Sequence, residues 1–76
     1  MDSSILIFVD FNNSDPGGRV RLNTTGTLND LKTNNIKLHT GLVLNLTDQD
    51  ELSTTGIVEY SEEETIWVAK IDWSSF

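Results

Sequence analysis

Residues 42–73 read LVLNLTDQDELSTTGIVEYSEEETIWVAKIDW. Three apolar runs are separated by two acidic, turn-like breaks. In the run 42–46, Leu42, Leu44 and Leu46 fall on one face of a strand and Asn45 on the other, the period-two signature of a half-buried strand. The runs 56–60 and 65–71 are rich in the β-branched and aromatic residues that suit a pleated surface. The pattern predicts an antiparallel three-strand meander on which everything else must pack. Thr47-Asp48-Gln49-Asp50-Glu51 reads as a solvated turn, and Ser61-Glu62-Glu63-Glu64 as a hairpin tip. The closing strand places Trp67, Ala69, Ile71 and Trp73 on one face, and Ile66 and Val68 on the other.

Upstream, Ile5, Ile7, Val9 and Phe11 alternate with Leu6 and Phe8, so both faces are apolar. Such a strand is covered on both sides or pairs in a dimer. In Asp15-Pro16-Gly17-Gly18, proline pre-sets a turn and Gly17 is expected to supply the positive φ. Arg19 to Asn23 then alternates, so residues 5–11 and 19–23 are expected to form a hairpin, unless residues 1–16 stay a looser N-terminal strand or arm. Thr27 and Asp30 fit a helix-capping pattern, which predicts a short helical turn near residues 28–33, ended by Asn34-Asn35. The tripeptide Thr-Thr-Gly at 24–26 and 54–56 reads as turn chemistry at strand boundaries, not as a duplication.

The bulk properties bound the rest. The 76 residues make a single domain, 1–76. A chain this short buries only about 60% of its unfolded surface. Cysteine is absent, which removes disulfides, thiolate metal sites and thiol catalysis together. Twelve acids against five bases give a net charge of −7, which repels nucleic-acid phosphate and anionic membranes and favours basic partners. The apolar run near the N-terminus lacks the preceding positive charge of a signal peptide and the roughly 20 residues of a membrane helix. Cytoplasmic localisation is the expectation, and the Asn-x-Ser/Thr sequons at Asn12, Asn23 and Asn45 are taken as chance.

The fold class expected is mainly β: a small five-stranded barrel with one helical turn. Ile36, Leu38, Gly41 and Val43 to Leu46, then Gly56, Val58 and Tyr60, then Trp67-Val68-Ala69, resemble an SH3-like barrel of the KOW type over about half the chain. The sequence also resembles short uncharacterised bacterial proteins of this shape. The resemblance implies a small filled barrel, and in some KOW-type barrels RNA binding.

No catalytic, cofactor or metal site emerges. A lone His39, no cysteine and no Gly-x-Ser-x-Gly leave a nucleophile without its base. Asp48, Asp50 and Glu59 share the spacing of an EF-hand, but Leu52 and Ser53 occupy the positions where that loop needs an oxygen ligand and a glycine. Small barrels fill their interior with side chains, which leaves no dry pocket to perturb a carboxyl. The better lead is aromatic. Tyr60, Trp67, Trp73 and Phe76 cluster late in the chain, and Trp and Tyr anchor interfaces. Trp73 and Phe76 either form a contact surface or simply close the core. The expectation is therefore a noncatalytic domain acting through an unknown protein partner or self-association. A nucleic-acid-associated module, resting on Arg19 and Arg21 with Lys32, Lys37 and Lys70, is the weaker alternative.

Overall fold

The computed structural model describes residues 5–48 and 53–75. Five strands form one curled, half-barrel sheet: β1 (Leu6–Phe8), β2 (Val20–Arg21), β3 (Val43–Thr47), β4 (Ser53–Ser61) and β5 (Ile66–Ile71). One helix, α1 (Thr25–Thr33), lies between β2 and β3, and a 3-10 turn, Trp73–Ser75, follows β5. The strand order is β1-β3-β4-β5-β2. The antiparallel meander β3-β4-β5 is present as its alternation predicts, with Leu44 opposite Gly56 and Val58 opposite Ala69.

The expected hairpin is different. Residues 5–11 do not pair with 19–23: β1 runs parallel to β3, with Ile7 beside Leu46, and β2 pairs with β5 at the far edge. The turn itself exists, but its upstream arm is residues 13–15. Asp15 N–H donates to the Arg19 carbonyl at 2.8 Å, and Arg21 N–H to that of Asn13 at 2.9 Å. Gly18, at φ 85°, takes the positive angle expected of Gly17. Gly18 N–H closes back onto the Asp15 carbonyl, so a glycine after the two inner turn positions supplies the left-handed step. Residues 9–13 carry the chain from one edge of the sheet to the other, and Val9 and Phe11 are buried on the way.

The helix starts earlier than the capping pattern suggests. Thr24, not Thr27, is the N-cap, and its hydroxyl accepts from Thr27 N–H. Asp30 reaches out of the helix instead, accepting from Phe8 N–H at 2.8 Å. The C-terminus ends as the asparagines predict. Asn35 sits at φ 59°, Ile36 N–H donates to the Leu31 carbonyl and Asn35 N–H to that of Lys32, a Schellman closure with Ile36 packed on the core.

Neither Thr-Thr-Gly is a strand-boundary turn. Gly26 lies inside α1, where a Cβ would come within 2.7 Å of the Phe8 ring; Gly56 lies inside β4, where one would come within 2.6 Å of Leu46 Cδ1. In both places the missing side chain admits a large apolar neighbour.

The core gathers Ile7, Val9, Val20, Leu22, Leu44, Leu46, Val58, Ala69 and others on the concave face, with Leu31 from α1. Burial of each larger aliphatic here contributes about 1.5–3 kcal/mol. Val68 is equally buried but belongs to the convex face, between Glu59 and Arg21 in register.

Candidate interaction surface

The convex face divides into two zones. The first is ionic. Arg19 Nε donates to Asp15 Oδ2 at 2.9 Å, and its Nη1 to Glu59 Oε2 at 2.7 Å. Arg21 grips both oxygens of Glu64 at 2.8 Å and reaches Asn13 Oδ1 at 3.0 Å. Burial alone would raise the pKa of Asp15, but hydrogen bonds from the backbone and side chain of Arg19 and from Gly17 N–H outweigh it and hold the carboxyl below its usual range. The Arg21 fork likewise holds Glu64 below the usual glutamate range. This network roofs Val68, the aliphatic stems lying over apolar surface while the charged ends pair.

The second zone is apolar and open. Val43 on β3 faces Ile57 on β4, and Leu6 on β1 faces Asn45, two residues along β3 from Val43. Cross-strand partners and residues two apart share a face, so the three side chains form one patch, exposed by 58%, 50% and 51%. Lys70 extends the Val43–Ile57 row on β5. A shallow groove beside Ile57 is walled by Thr55, Lys70, Ile71 and Asp72. A second, between Ile5, Ile36, Leu42 and Val43, reaches the core residues Ile7 and Leu44 and so is not confined to this face.

The late aromatics separate into two pairs. Tyr60 and Trp67 meet edge-to-face at 5.1 Å, with Trp67 packed on the core and Tyr60 partly exposed beside the β4–β5 tip. Trp73 lies beyond the other end of β5. Its ring meets Phe11 at 6.3 Å, and its Nε1 donates to the Gly18 carbonyl at 2.6 Å. Phe76 lies outside the described residues. The structure therefore brings Tyr60 to Trp67 and Trp73 to Phe11, and does not join the two pairs.

Of the acids with EF-hand spacing, Glu59 is paired with Arg19, and Asp50 lies outside the described residues. No group of three metal-ligating side chains occurs among the described residues. His39 is exposed, its Nδ1 3.2 Å from the Thr40 carbonyl. Among the described residues no helix is long and apolar enough to cross a membrane.

The open patch is the feature that alternation alone passes over. Its signal was present: Val43 and Ile57 are aliphatic at positions where a half-buried strand ordinarily carries polar residues. The ion pairs had no such signal, because Arg21 and Glu64 are joined only by the pairing of β2 with β5.

No family model matches this sequence, and no curated protein and no solved structure matches it at the level of significance required.

Proposed function

We propose that this domain is a noncatalytic, acidic β module that works through protein–protein contact, as a subunit, adaptor or self-associating unit in the cytoplasm. The observation that carries the reading is the uncovered patch of Leu6, Val43 and Ile57, each at least half exposed on a single sheet face. Isolated exposed aliphatics are ordinary, but a contiguous set on a regular surface marks a contact site. Tyr60 and Trp73, both partly exposed at the two ends of β5, lie off this patch and are separate candidate contacts.

The finer relationship we propose is to SH3-like barrels of the KOW type, supported by the five-stranded curled sheet. The nucleic-acid role found in some of those barrels has less support here. Arg19 and Arg21, its best candidates, are each bound to carboxylates of this same chain.

The test is sedimentation at micromolar concentration joined to capture of partners by cross-linking, comparing the native chain with Val43→Ser/Ile57→Ser. A partner or second copy held by the native chain and released by the double variant is the expected result. A strictly monomeric chain that captures nothing overturns the reading. A duplex or RNA retained in about 20 mM salt, where phosphate attraction is strongest, would favour the nucleic-acid alternative.

A further inference from the structure

We propose that the patch of Leu6, Val43 and Ile57 seats a cationic amphipathic polypeptide segment, laid flat on the sheet face and not added as a strand at an edge. This rests on the protein-contact reading above and names its partner's chemistry.

The edges argue against strand addition. On the outer side of β1, Phe8 N–H is taken by Asp30 Oδ2 at 2.8 Å and the Phe8 carbonyl by the Thr27 hydroxyl at 2.6 Å. On the outer side of β2, residues 13–15 already hydrogen-bond to Arg19 and Arg21. A visiting strand would have to displace native bonds at either place, whereas the face is open. Its apolar side chains come from three consecutive strands of the sheet, with Val43 and Ile57 directly opposed. Opposed Cβ atoms lie about 5 Å apart and diagonal neighbours about 7 Å. That spacing suits successive apolar residues on one side of an extended or helical segment.

Charge selects among occupants. The net charge is −7, and the paired cluster accounts for little of it, since three carboxylates there meet two arginines. Two copies, each carrying −7, repel one another on approach. A segment rich in lysine or arginine is drawn in, with the gain expressed mainly in association rate. Close to the patch, Asp72 walls the groove beside Ile57, and its carboxylate accepts from both the hydroxyl and the N–H of Ser74. Lys70, at the end of the Val43–Ile57 row, fixes where the partner's own charge must be absent.

The experiment is an amide-shift titration of the whole chain with a synthetic leucine/lysine amphipathic peptide, with its leucine/glutamate counterpart as comparison. The expected result is saturable binding of the lysine peptide that weakens with salt, with shifts centred on Leu6, Val43, Ile57 and Lys70. Val43→Ser/Ile57→Ser is expected to weaken it about tenfold; both positions are solvent-facing, and unchanged amide shifts elsewhere confirm the variant's fold. Shifts confined to Glu62 and Glu63 would mean bare charge attraction and overturn the proposal. So would equal binding of the glutamate peptide, or a dimer whose interface covers the patch. A dimer would leave the protein-contact reading standing, so the two failures are distinguishable.

Discussion

The Thr27 hydroxyl donates a 2.6 Å hydrogen bond to the carbonyl oxygen of Phe8, tying the first turns of α1 to the outer side of β1. The Thr24 hydroxyl, 2.6 Å from Thr27 Oγ1, completes a short relay. Thr27 is fully buried. Thr27→Val keeps the shape but leaves the Phe8 carbonyl and the Thr24 hydroxyl without this partner, at an expected cost of about 1–3 kcal/mol. Urea unfolding monitored by tryptophan fluorescence should show a lower midpoint with an unchanged slope.

Gly26 gives a prediction of sign. In an exposed helix, Gly→Ala stabilises by about 0.5–1 kcal/mol. Here the new Cβ would lie 2.7 Å from Phe8 Cδ2, so the ring must move. Gly26→Ala alone is expected to destabilise. In a Phe8→Ala background the same change is expected to stabilise, and a double-mutant cycle reads the reversal directly.

Asp15 sets an acid limit. Its carboxyl is held below the ordinary 3.8 chiefly by the Arg19 bonds, which overcome the opposing effect of burial. The folded state therefore holds this proton less tightly than the unfolded state. The stabilisation is complete above about pH 3.8 and lost as pH falls through the lower folded value. Glu64 acts in the same direction through Arg21. Asp15→Asn should cost about 1.5–3 kcal/mol at neutral pH, because a buried charge-assisted acceptor is lost. Between about pH 5 and pH 2.5 it should also flatten the fall in urea midpoint.

Thr65 occupies φ 61° at the end of the β4–β5 tip, while its N–H donates to the Ser61 carbonyl at 2.7 Å. A β-branched side chain is strained in that region, and asparagine tolerates it better. Thr65→Asn is expected to stabilise by about 0.5–1 kcal/mol and to raise Tm by several degrees in calorimetry.

The meander was readable because each of its strands finds its mate next door, so alternation and turn residues carry all the information. The Schellman end of α1 was readable for a similar reason, since Asn35 and Ile36 report on residues only a few positions back. What stayed hidden lies in contacts between distant segments. The doubly apolar pattern of residues 5–11 has two different causes: Phe8 is covered by α1 at Gly26, while Leu6 remains open. Nothing near β1 in the chain announces β3 as its parallel mate. The Thr27–Asp30 capping pattern misplaced the start of α1, because both side chains are bonded to the Phe8 backbone and Thr24 is the cap. The aromatic cluster was half legible. Tyr60 and Trp67 meet across a local hairpin, but Trp73 lies at the other end of β5 and finds Phe11.

Strands β1 and β2 flank a sheet whose middle is made entirely of later residues. During synthesis β1 has no strand partner until β3 has emerged, and β2 has none until β5 has emerged. Contacts this remote in sequence form slowly. The Ile5–Val9 run is thus unpaired hydrophobic chain until β3 follows it, and nascent chains of this protein should be clients for holdase chaperones over that interval.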